Sequence, residues 1–153
     1  MTFARSALAA LATLAAASAP AAPPSKAETA IHYRHSVYHV IEWNVLPMGD
    51  AVSGKIPYDK EAFAMRAARV ALLTPMLPEG FPEGSYIAGK TDAKPDIWKN
   101  RPEFDELMKK LAAKSATLAD VAKGGDLATI KPAFNDLMQV CKSCHEKFKK
   151  KDD

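Results

Sequence analysis

Cysteine is scarce in this chain, which carries two among 153 residues. A structural zinc centre of the usual four-ligand kind would need a second ligand pair, and none stands at suitable spacing. No stretch shows sustained period-two alternation, so strands are not expected. No basic stripe interleaved with aromatics occurs, which leaves a nucleic-acid partner without support. A nucleophile–base arrangement and a phosphate-cradling glycine loop are also missing. Hydrolase and kinase chemistry is therefore unsupported, and the chain reads as a non-enzyme. The one long apolar run, residues 7–17, is broken only by Thr13 and is too short to span a bilayer.

That run follows a short segment ending in Arg5 and precedes small residues, the layout of a secretory signal peptide. Residues 1–27 are read as the leader, with cleavage placed between 17 and 27. A cut can follow Ala17 or Ala27, whereas Pro20 disfavours one after Ala19. A permanent N-terminal anchor is the alternative. The mature chain, residues 28–153, is expected to be periplasmic and free of the membrane. Removing residues 1–27 takes away Arg5 and Lys26 and no acid, so 21 basic residues become 19 against 18 acids. Lys147, Lys149, Lys150 and Lys151 form a basic tail that complements a helix C-terminus.

Apolar residues recurring every three or four positions predict an all-α domain. A first helix is expected from near Glu28, with Ile31, Tyr38, Ile41 and Val45 on one face, Arg34 on the same stripe, and a kink or end near Pro47. A second opens with Asp59 as N-cap and stops at Pro75 and Pro78. A Gly- and Pro-rich loop follows. The third opens on an Asn100–Glu103 capping box, buries Phe104, Leu107, Met108, Leu111, Leu118 and Val121, and ends at Gly124 and Gly125. Asp126 opens the fourth, whose inner face holds Leu127, Phe134, Leu137, Met138, Cys141, Cys144, His145 and Phe148, with Pro132 bending its start. Four amphipathic helices with a long middle connection predict an antiparallel up-down-up-down four-helix bundle.

Both cysteines fall in CKSCHEKFKKK, near the C-terminus, and His145 follows Cys144 at once. C-x-x-C-H is the attachment signature of a c-type haem. Positions i and i+3 of a helix face one way, so Cys141 and Cys144 suit two thioether bonds along one haem edge, with His145 as the proximal iron ligand. A Cys141–Cys144 disulfide and a C-x-x-C redox motif are the competing readings, but the redox motif normally accompanies a βαβ pattern. Haem c, one per chain, is favoured.

A haem signature closing a four-helix pattern, together with HYRHS, SGKIPYD, PDIW and GGDLATIKPAF, resembles the cytochrome c′ family of class II c-type cytochromes. The resemblance spans the mature chain. It implies that Arg34 holds a haem propionate, a contact that guanidinium geometry suits. It also implies that Tyr38 covers the open side of the iron. A neutral phenol is a poor iron ligand, so the iron is expected to be five-coordinate and to bind NO and CO. A six-coordinate electron carrier with methionine or tyrosinate as sixth ligand is the alternative, and a haem-free bundle with a disulfide is a third reading. Pocket walls are expected from the first two helices, including Ile41. On the proximal side the resemblance implies that Lys149, one turn beyond His145, lies near its imidazole; a solvated tail lysine is the alternative. Met48 and Met65 are the residual candidates for a sixth ligand. His32, His35 and His39 are expected to face solvent or a partner subunit. Trp98 is expected to pack the long loop onto the bundle. The resemblance further implies a homodimer through the first two helices, with Trp43, Tyr33, Val37 and Val40 at the contact; the redox partner is not indicated.

Overall fold

A computed structural model describes residues 22–151. Most of the expected leader, residues 1–21, lies outside the described residues. Four long helices carry the fold: α1 Lys26–Val52, α2 Lys60–Leu73, α4 Arg101–Gly124 and α5 Leu127–Phe148, with the single turn α3 Asp96–Lys99 before α4. They form the expected four-helix bundle.

The helix ends follow local chemistry. Ser25 caps α1, its Oγ accepting from the Glu28 amide at 3.2 Å while the Glu28 carboxylate accepts from the Ser25 amide at 2.9 Å. Such a box is worth about 1 kcal/mol, and it starts the helix at Lys26, close to the expected Glu28. Asp59 caps α2 through the Ala62 amide and Asp126 caps α5 through the Thr129 amide. Asn100 occupies the N-cap position of α4, but its side chain caps nothing. Its Nδ2 donates instead to the Asp96 carbonyl at 3.2 Å, and the Glu103 carboxylate pairs with Lys147, so no capping box forms there.

Pro47 does not end α1, which continues for another turn to Val52. Proline lacks the N–H that would bond the carbonyl four residues back, and here that carbonyl, on Trp43, accepts from Arg66 Nη1 of α2 at 3.1 Å. The second helix does end at Leu73, yet the two prolines after it do not open a loop directly: Thr74–Gly80 winds on as a 3-10 helix. That segment packs on α1, α2 and α4.

The core lies where Phe63, Ala67, Val70, Phe104, Leu118, Ala122, Ile130 and Leu137 meet. Of the expected stripes, Leu107 and Val121 are half-buried and Met138 is exposed, whereas Met48, Ile130 and Val140 are buried without having been expected, and Val37, assigned to a subunit contact or to the core, lies in the core. Contacts are extensive between α1 and α2, α2 and α4, and α4 and α5, and sparse between α1 and α5. The α1–α5 seam is the loosest in the bundle.

Candidate functional site

On that seam Tyr38 of α1 meets Cys141, Cys144 and His145 of α5 around a cavity of about 30 Å³. Leu107, Met108 and Leu111 of α4 and Val140 of α5 complete the lining. The far wall thus comes from α4 rather than α2, and Ile41 is outside the lining. The cause is packing order: α4, not α2, is the neighbour of α5. A larger hollow of about 500 Å³ on the outer side of α4 is bordered by Glu103, Glu106, Lys109 and Lys110. It is a shallow surface feature whose charges pair as Lys147–Glu103 and Lys109–Glu106, so the small cavity is the chemically informative one.

Cys144 is buried, Cys141 half-buried and His145 exposed, all on one side of α5. The cysteines are free thiols. Burial pushes the Cys144 thiol up to about 11, with the neighbouring Cys141 adding to the shift, and burial raises Cys141 as well. Both therefore remain protonated at neutral pH, unlike the activated thiolate of a C-x-x-C redox site. Burial also raises the Tyr38 phenol well above its ordinary value, with Cys144 and Cys141 contributing. Tyr38 is a neutral phenol across the physiological range, and its ring packs edge-on against Phe81 at 6.5 Å.

Arg34, one turn before Tyr38, is 1% exposed. Its Nη1 donates to the Gly80 carbonyl at 3.0 Å and to Ser85 Oγ at 3.3 Å. Its Nη2 donates to the Ser85 carbonyl at 3.1 Å and to Thr91 Oγ1 at 2.9 Å. The guanidinium carbon sits 4.9 Å from the Phe81 ring centre and 5.9 Å from that of Trp98. No carboxylate is among these partners, and Nε is buried without one. Burial lowers the Arg34 pKa, but arginine stays charged, so a buried cation is held here by neutral acceptors alone. Ser85 and Thr91, themselves buried, complete this cluster and have no local motif to mark them.

The remaining expected residues are dispersed. Lys149 is not a further turn of α5: the helix stops at Phe148, and Lys149 is extended, bridging antiparallel to Ala93. Met48 is buried in the core, Met65 is exposed, and neither lines the cavity. His32, His35 and His39 are exposed. Trp98 does pin the loop, donating from Nε1 to the Pro82 carbonyl at 2.9 Å. Val37 belongs to the core, and the Tyr33 hydroxyl donates to the Met76 carbonyl at 3.2 Å. Val140 was missed, although its spacing of four before Cys144 puts it on the same helix face.

A helical bundle presenting C-x-x-C-H beside a buried arginine and a half-buried tyrosine defines a c-type cytochrome of the bundle class. The chain belongs to the cytochrome c′ family, whose sequence model matches residues 29–149. It is 33% identical over 130 residues to cytochrome c′ of Halomonas halodenitrificans, covering 82% of this chain and 98% of that one. In structure it is similar to cytochrome c prime from Shewanella frigidimarina, with a TM-score of 0.80 and 36% identity over 84% of this chain and 100% of that one. A ferrous variant of the Alcaligenes xylosoxidans protein with bound NO gives a TM-score of 0.76 at 28% identity, over 85% and 100% of the two chains. The cofactor of the family is haem c, and residues 141–145 carry its attachment signature.

The residues present fit that group. Two thiols and an imidazole lie on one side of α5, the loosest seam runs beside them, and an unpartnered donor of a buried cation stands one turn from Tyr38. The donor set is that of a thioether-linked haem.

Proposed function

We propose that this chain is an exported, periplasmic, non-enzymatic haem c protein that binds small neutral gases, NO and CO, beneath Tyr38. The observation that carries this reading is the convergence of Tyr38 with Cys141, Cys144 and His145 across the α1–α5 seam. Haem c supplies an iron able to take a diatomic gas and to exchange one electron. Cys141 and Cys144 would hold it by thioether bonds, and His145 would ligate the iron. Arg34 Nε would be the donor for a propionate, while the other two nitrogens keep the loop in place. Seating a porphyrin requires α1 and α5 to part, which their sparse contacts permit.

Tyr38 covers the open side. The apolar walls of Leu107, Met108, Leu111 and Val140 disfavour both water and strong anionic ligands, and the neutral phenol adds no positive charge to draw an anion. Gas binding follows, with electron transfer as an accompanying capacity. The test is the absorption spectrum of the reduced protein: a high-spin spectrum that shifts with CO is expected, and sharp low-spin bands indifferent to CO overturn the reading.

Trp43, Leu46 and Leu72 are 73%, 60% and 74% exposed on α1 and α2. Three large apolar side chains left in water on adjacent helices favour burial against a second copy. We include a homodimer through α1 and α2 in the proposal. Sedimentation equilibrium of Trp43→Glu should give monomer; a wild-type chain that is itself monomeric refutes the pairing.

A further inference from the structure

The outer side of α1 carries a constellation the haem reading does not use. At 100° per residue, His32, His35 and His39 fall within about 60° of arc on the face away from the core. All three are exposed. His35 and His39 are one turn apart, which sets their Cβ atoms about 5–6 Å from each other. Imidazoles so spaced can close on one ion at the metal–nitrogen distance of about 2.0–2.1 Å. Glu42, three residues on, places Oε2 3.7 Å from His39 Nδ1. That separation is longer than a hydrogen bond, but a small turn of either side chain would let the carboxylate accept from Nδ1–H and leave Nε2 as the donor, the usual outer partner of a metal-bound histidine.

We propose that His35 and His39 chelate a divalent metal ion of the zinc or copper(II) class on the solvent face of α1, with Glu42 orienting His39 and water completing the coordination. Imidazole nitrogen suits both ions. Among the described residues no group of three ligand-type side chains surrounds one point, so the protein supplies two ligands and the site stays open. The spacing is held by a firm scaffold, because Arg34 and Tyr38, the neighbours of His35 and His39 in sequence, are anchored in the bundle. Glu42 lies beside His39, and at His35 the Asp92 carboxylate acts against the stronger influence of the Arg34 guanidinium. Burial, with Arg34 second, lowers the pKa of His35, which favours the neutral ring that a metal requires.

The test is calorimetric titration of the full exported protein, haem attached, with zinc chloride, followed by copper(II) paramagnetic resonance. One equivalent is expected to bind, with two nitrogen donors on copper. His35→Gln and His39→Gln should each weaken binding by about tenfold or more, Glu42→Gln by about tenfold, and His32→Gln should leave it unchanged. No heat with zinc, wild-type binding by the His35→Gln/His39→Gln pair, or loss of binding in His32→Gln overturns the assignment. The haem absorption spectrum should be the same in all variants, so the outcome is separate from that of the gas-binding reading.

Discussion

A β-carbon built on Gly80 would stand 2.6 Å from Cβ of Arg34 and 3.2 Å from its Cα. Neither atom can swing aside, since both belong to the rigid part of α1. The 3-10 turn is therefore seated directly on the helix, which is what lets the Gly80 carbonyl reach the guanidinium. Gly80→Ala should lift the turn and cost about 1–3 kcal/mol, read as a lower Tm. Gly124→Ala, where an added carbon meets nothing within 4 Å, is the control and should hold or raise the Tm.

Thr74 and Ser115 form a buried pair with their hydroxyl oxygens 2.7 Å apart, joining the 3-10 turn to α4. Ser115 Oγ also donates to the Ala112 carbonyl at 2.8 Å, so the Thr74 hydroxyl is the donor within the pair. Ser115→Ala strands that hydroxyl in the core and should lose about 1–3 kcal/mol. Adding Thr74→Val removes the stranded group. Denaturant titration should find the double variant more stable than the sum of the two single changes allows.

Glu28 is the clearest source of acid sensitivity. Hydrogen bonding to Lys90, then to the amide and hydroxyl of Ser25, holds its carboxyl at about 2 instead of 4.5. A depressed carboxylate stabilises the fold fully above the unfolded value near 4.5, and that contribution is lost as pH falls through about 2. Titration of Glu28 by NMR should show the low midpoint. Lys90→Ala should move it upward, and an unmoved midpoint would place the cause elsewhere.

Replacing Tyr38 with methionine puts a thioether where the phenol faces Cys141 and Cys144. On the proposed reading, Tyr38→Met should turn a high-spin reduced spectrum toward sharp low-spin bands and suppress the response to CO. A variant that remains high-spin would mean that position 38 does not lie over the iron.

The fold class and the attachment motif were legible because both are local. Four runs of three-and-four spacing specify helices, and Asp59 and Asp126 mark two of their starts. Ser25 escaped notice because the leader was read as extending past it, although its partner Glu28 lies at capping-box spacing. At Pro47 the rule about missing donors applied, but the compensating donor, Arg66, lies 19 residues further along the chain. Asn100 shows the opposite failure: the right residue at the right spacing turned to Asp96, which no local pattern excludes.

Spacing within single helices determined that this chain makes amphipathic helices and carries two thiols and an imidazole on one side of the last one, since those relations involve only neighbouring turns. The tertiary structure decided that α4 and not α2 walls the cavity, and that α1 and α5 scarcely touch. It also decided that Arg34 is held by Gly80, Ser85 and Thr91. The Arg34 contacts join groups 46 to 57 residues apart, and Tyr38 stands further still in sequence from Cys141 and Cys144; such groups come together only when the apolar faces are buried against one another.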